Sequence, residues 1–173
     1  MKNEITGMKL RLIVMNFLQF AVWGAYLTSM GTYLFNIGLG AKIGLFYAMQ
    51  GIVSLFMPAI MGIIADRWVP AQKLYGFCHF MAAVFMVAAG WYGYVDGEAV
   101  NFGTLFTFYS LSVAFYMPTL ALTNSVAYTA LDKVKLDPVI AFPPIRIFGT
   151  IGFICSMLLT DILGFQNNYM QFF

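Results

Sequence analysis

Five stretches of this chain are each long and apolar enough to cross a bilayer, and little else is left over. They run about 10–35, 43–65, 74–94, 102–131 and 144–163. A helix needs roughly 20 predominantly apolar residues to span the hydrocarbon core. The connections are short and carry the helix breakers: Asn36 to Lys42, Asp66 to Lys73, Val95 to Asn101, and Asp132 to Phe142. None can hold a separate soluble domain. Charged residues make up 9% of the chain and hydrophobic ones 61%, against about 25% charged in a soluble domain. That balance excludes a soluble enzyme, a nucleic-acid binder and a disordered segment. A net charge of +2 is too small to imply a polyanionic partner. The expected fold is an all-α, polytopic membrane protein. Cys78 and Cys155 both sit in apolar runs and read as buried small hydrophobes, with no zinc spacing and no disulfide framework.

Charge gives the direction of threading. With the N-terminus in the cytoplasm, the inner side receives Lys2, Lys9, Arg11, Arg67, Lys73, Lys133, Lys135 and Arg146, and the outer side only Lys42. Such a bias predicts an N-in topology. Asp96 and Glu98 then lie in an outer loop, and Asp161 at the outer end of the fifth span. Trp68, Trp91 and Tyr94 fall at span ends, as interface anchors do. The first span is too long for a signal-peptide core and has no small-residue cleavage site after it, so it reads as uncleaved. Residues 164–173 look like an outer turn and the start of a sixth span. A chain ending at membrane depth leaves backbone groups without helical partners, so the expectation is a fragment of a larger protein.

The spans carry polar stripes. Asn16, Gln19, Trp23 and Tyr26 recur at i, i+3, i+7 and i+10 in the first span. Ser112, Tyr116, Thr119 and Thr123 do the same in the fourth, with Asn124 and Tyr128 beside them. A polar stripe is costly against lipid, so it faces protein or water. It serves either helix–helix hydrogen bonding or the lining of a cavity, and spacing alone leaves both open. Pro58 and Pro118 interrupt the second and fourth spans in similar settings. Gly24, Gly31, Gly44, Gly51, Gly62, Gly149 and Gly152 offer places for close helix approach. His79, near the inner end of the third span, reads as a packing residue or a proton relay. Asp161 reads as an interface carboxylate or a coupling site.

Arg146 is the most informative single residue. It follows Phe142-Pro143-Pro144, and proline is well tolerated at a first helical position. The helix is therefore expected to start there, with Arg146 about one turn in. Arg146 either snorkels to the headgroups or turns inward toward a polar or anionic group. Thr150 and Phe153 follow at i+4 and i+7, so a charge, a hydroxyl and an aromatic ring share one face. That combination suits a ligand with hydroxyls and a flat ring.

Two sets of residues resemble known transporters. Gly62-Ile-Ile-Ala-Asp66-Arg67, closing the second span and opening an inner loop that ends at Lys73, resembles the loop signature of the major facilitator superfamily. Val69 and Pro70 stand where that signature has a second glycine and an arginine. More specifically, four stretches resemble the nucleoside:proton symporter family of that superfamily. They are Phe17-Leu-Gln-Phe-Ala-Val-Trp-Gly24, Phe56 through Asp66, Tyr116-Met-Pro-Thr-Leu120 and, most distinctive, Phe142 through Phe153. The resemblance implies twelve spans in two halves, proton-driven nucleoside import across the inner membrane of a bacterium, and no cofactor beyond the proton gradient. It implies that Arg146, Thr150 and Phe153 contact the nucleoside, with Gln19, Trp23 and Tyr116 lining the same cavity. Gly62, Asp66 and Arg67 are implied as the gating loop. The implied partners are the nucleoside, protons, the lipid bilayer and a C-terminal half. The acidic and amide residues that the family uses in that half are absent from this sequence, so this stretch alone is not expected to transport. Two other functions remain open on the residues: carriage of a sugar, oligosaccharide or drug, and a membrane interaction subunit that moves nothing. An enzyme is disfavoured, with no nucleophile–base pair, metal cluster or phosphate loop in the sequence.

Overall fold

A computed structural model describes residues 2–173, with the side chains of residues 2, 3 and 98 outside that description. The expected inner and outer placements of Lys2 and Glu98 therefore lie outside the described residues. Six α-helices run in order: α1 (Lys2–Leu27), α2 (Met30–Asn36), α3 (Ile43–Arg67), α4 (Ala71–Asp96), α5 (Phe102–Lys133) and α6 (Pro138–Ile162). With α1 and α2 taken together, five helical segments among the described residues are long and apolar enough to cross a membrane.

The helix ends follow from particular side chains. The first span breaks between α1 and α2, where the Ser29 hydroxyl donates to the Ala25 carbonyl at 2.6 Å. A hydroxyl that bonds back by one turn competes with the helical ladder and bends it. Asn101 caps α5, its Oδ1 accepting from the backbone N–H of Gly103 at 2.8 Å and Thr104 at 3.4 Å. Asp137 caps α6 by accepting from the N–H of Val139 at 2.9 Å. This cap corrects the expected start of the fifth span. The helix begins at Pro138, Pro143 and Pro144 lie inside it, and Arg146 sits about two turns in. The carbonyls these prolines leave unbonded belong to Val139 and Ile140, both exposed residues. At its far end α6 stops at Gly164, whose φ of +71° is a left-handed conformation that glycine adopts without strain. The residues expected to open a sixth span form two 3-10 turns, Phe165–Asn167 and Tyr169–Phe172. They fold back on the bundle, with Phe172 buried edge-on to Tyr33 at 5.4 Å.

The packing is organised by two pairings. α1 lies along α6, while α5 lies between α3 and α4. α5 is the most enclosed span, half of its apolar window being buried, against 17% for that of α3. Toward the end opposite the N-terminus, Tyr26, Met30, Phe46, Met86, Leu105 and Tyr109 form the main apolar cluster with their neighbours. At the N-terminal end two smaller clusters form. One joins α1, α5 and α6 through Leu12, Leu131 and Ile145, and the other joins α3, α4 and α5 through Met61, Cys78 and Leu122. The outer faces of α3 and α6 remain apolar, as Leu55, Phe56, Ile147 and Leu158 illustrate. An apolar exterior of this kind suits lipid or further helices.

Two expectations are corrected here. Cys78 is buried, but Cys155 is exposed on α6. Of the seven glycines expected at close approaches, Gly24, Gly149 and Gly152 are the three where an added Cβ would collide with a neighbouring helix. Around Gly44, Gly51 and Gly62 there is open space, and Gly31 has only ordinary contacts. Spacing identifies glycines, but only helix pairing decides which of them meet a partner.

Candidate functional site

Two glycines, Gly24 and Gly152, let α1 and α6 touch backbone to backbone. A Cβ on Gly24 would collide with the Phe153 carbonyl, and one on Gly152 with the Phe17 carbonyl. This contact sets the register of the two helices, and the register places the aromatic and cationic side chains beside it. The Arg146 guanidinium lies over the Phe20 ring, its Cζ 3.7 Å from the centroid. Phe20 meets Trp23 at 6.2 Å, and Trp23 meets Phe153 edge-on at 5.9 Å and 79°. A ladder of cation and rings thus runs along the α1–α6 junction. Thr150, one turn beyond Arg146, is exposed.

The hydrogen-bonding capacity of this ladder is largely unused. Among the described residues no Asp or Glu forms a salt bridge with Arg146, and no protein acceptor takes its N–H groups. The Nε1–H of Trp23 is buried and has no hydrogen-bond partner. A planar cation with free donors, an exposed hydroxyl and an edge-on ring pair can bind a solute bearing oxygen acceptors and a flat ring.

Gln19 and Tyr116 belong to a hydrogen-bonded network that joins α1, α4 and α5. Gln19 is 1% exposed and sits on the side of α1 that faces α4 and α5. Its Nε2 donates to the Thr119 hydroxyl at 2.7 Å, and that hydroxyl donates to the Tyr116 carbonyl at 2.6 Å. Its Oε1 accepts from the Tyr75 hydroxyl at 2.7 Å and, with the proton on Nε2, from His79 at 2.7 Å. Thr123 Oγ1 lies 3.2 Å from the same oxygen and donates to the Thr119 carbonyl at 2.7 Å. The Tyr116 hydroxyl donates to the Gln19 backbone carbonyl. The polar stripes of the first and fourth spans therefore face each other and are tied together by one amide. The physical reason is that a buried amide must find partners inside the bundle, and both ends of Gln19 find them. Spacing found Gln19, Tyr116, Thr119 and Thr123. It did not find Tyr75 and His79 as their partners, or Phe20 beneath Arg146, because those contacts cross between helices far apart in the chain.

The remaining expected residues stand apart. Asp66 and Arg67 are exposed at the end of α3, and Gly62 faces open space. They make no contact with the α1–α6 ladder. His79 also borders a cavity of about 200 Å³ lined by Tyr26, Met86, Ser112, Tyr116 and Phe172.

The chain is similar to known proteins over nearly its whole length. Residues 6–173 match the family described as Nucleoside H+ symporter. The chain is 40% identical over 166 residues to the xanthosine permease of Escherichia coli, covering 95% of this chain and 38% of that protein. It is 39% identical over 170 residues to the nucleoside permease NupG of the same organism, covering 96% of this chain and 39% of NupG. The crystal structure of the nucleoside transporter NupG superposes with a TM-score of 0.86 at 39% identity, over 95% of this chain and 40% of that one. The chain thus spans about two-fifths of the length of these relatives. They are transporters, not enzymes, and the chain is a multi-pass membrane protein that belongs to the nucleoside:proton symporter family.

Proposed function

We propose that this chain is the N-terminal part of a twelve-helix transporter that imports nucleosides with protons by alternating access. In this reading Arg146 donates hydrogen bonds to nucleoside oxygens. Thr150 hydrogen-bonds a hydroxyl, and Phe153, backed by Trp23, packs against the base. Gln19 and Tyr116 act one layer behind, fixing α1 against α4 and α5. Alternating access rocks two helical bundles about a central site, so the remaining contacts and the proton-coupling carboxylates belong to a C-terminal half. The proton gradient is the driving force, and no cofactor is required. Clustering of Lys and Arg at the end that carries the N-terminus supports a cytoplasmic N-terminus in the inner membrane of a bacterium. Gly62, Asp66 and Arg67, on the last turns of α3 beside the short connection to α4, meet the second bundle at that end when the transporter changes state.

The observation that carries this reading is the Arg146 guanidinium, half-buried on the α1–α6 junction with its donors unengaged. An unpaired cation at membrane depth is costly and marks a solute or ion path. The test is uptake of uridine by the complete gene product in vesicles with an inward proton gradient. Uptake should depend on the gradient and fall sharply in Arg146→Ala. Unchanged uptake in that variant would remove the role given to Arg146, and competition by sugars without competition by nucleosides would remove the nucleoside.

A further inference from the structure

Phe20 belongs to no polar stripe, and nothing in the sequence spacing singles it out. In the structure its ring is buried and forms the surface on which Arg146 rests, 3.7 Å from Cζ to centroid. Gly149 makes the arrangement possible. A Cβ there would stand 2.7 Å from Phe20 Cδ2 and 2.8 Å from Arg146 Nη1. Ring and guanidinium therefore occupy space that any side chain at position 149 would need.

An arginine in apolar surroundings can be held in two ways. A carboxylate grips its N–H edge, often with two parallel hydrogen bonds, and so uses the donors. An aromatic face takes the flat of the cation and leaves the in-plane N–H groups directed away from the ring. Arg146 is held in the second way, and among the described residues no carboxylate bonds to it.

We propose that Phe20 is the positioning residue for Arg146. The ring sets the plane of the guanidinium, Gly149 supplies the notch, and the N–H edge is thereby presented to solute oxygens without competition from a counter-ion. This rests on the reading of Arg146 as a solute donor. Phe20 acts only through Arg146, so its effect disappears when the guanidinium does.

The experiment is a double-substitution cycle in the complete gene product, reading uridine half-saturation and maximal uptake per molecule in the membrane. Phe20→Leu keeps apolar volume and removes the ring face. It should raise half-saturation roughly 3- to 30-fold with maximal uptake within about twofold, while Phe20→Trp stays close to the parent. In an Arg146→Met background, Phe20→Leu should add nothing. The same fold-increase in both backgrounds would show Phe20 to be packing alone and overturn the proposal. Stepwise fluorination of the Phe20 ring drains its negative face at nearly constant shape, so it keeps the test valid if Phe20→Leu does not fold. Half-saturation should climb with each fluorine, and a flat series would overturn the proposal. If Arg146→Met weakens uptake but the Phe20 changes do not, only this inference fails. If Arg146→Met changes nothing, the underlying reading fails with it.

Discussion

Gly152 on α6 rests against the backbone carbonyl of Phe17 on α1, closer than any side chain would permit. With Gly24 against Phe153, this contact fixes where the two helices cross and therefore which residues stand across from Arg146. In a bilayer, where lipid is as apolar as leucine, close backbone approach is a principal source of helix association.

Alanine at either position must force the helices apart. Gly152→Ala and Gly24→Ala should each destabilise by about 1–3 kcal/mol, the usual cost of overpacking. Thermal unfolding of the detergent-solubilised protein measures this. Gly51→Ala, into open space on α3, should leave the melting temperature nearly unchanged or slightly higher, since alanine favours helix over glycine.

Gln19 gives the second prediction. Gln19→Leu leaves the Tyr75 hydroxyl and His79 Nε2 without their acceptor and Thr119 without its donor. The expected loss is about 1–3 kcal/mol of stability, from buried donors left unpaired. Uridine half-saturation, measured on the folded fraction, should shift little. A large rise in half-saturation with unchanged stability would instead put Gln19 in direct contact with the solute.

Thr150 is expected to behave in the opposite way. It is exposed, and its hydroxyl meets no protein acceptor among the described residues. Thr150→Val keeps its shape and removes the hydroxyl, so stability should hold. Loss of one hydrogen bond to a solute is worth about 0.5–1.5 kcal/mol, which predicts a rise in uridine half-saturation of roughly 2- to 13-fold. The paired measurement of melting temperature and half-saturation separates the two behaviours.

The cap at Asn101 gives a purely structural prediction. Asn101→Ala removes the acceptor for the Gly103 and Thr104 amides and should cost about 1 kcal/mol. Hydrogen exchange should quicken at those two amides first. The far end of α5, around Leu131, should keep its protection.

The helical segments were legible in the sequence because membrane crossing is a local, compositional constraint. Twenty apolar residues in a row declare themselves wherever they pack. The start of α6 was misread for an equally local reason. Pro143 and Pro144 suggested a helix beginning at proline, whereas Asp137 supplies a cap six residues before Pro143. The face shared by Arg146, Thr150 and Phe153 was visible from helical spacing. That Phe20 carries the guanidinium was not, because α1 and α6 are joined only through every helix between them.

The sequence by itself determined how many helices can cross a membrane, which ends carry the positive charge and which faces are polar. Each of these is a property of composition or of a 3.6-residue period within one segment. Only the tertiary structure decided what each face looks at. Gln19 and Trp23 lie four residues apart on one stripe, yet the Gln19 amide turns into the α4–α5 network while Trp23 meets Phe153 of α6. A helix is a cylinder with neighbours on several sides. Its period records that a stripe is polar, whereas the glycine contacts between distant helices fix which neighbour that stripe meets.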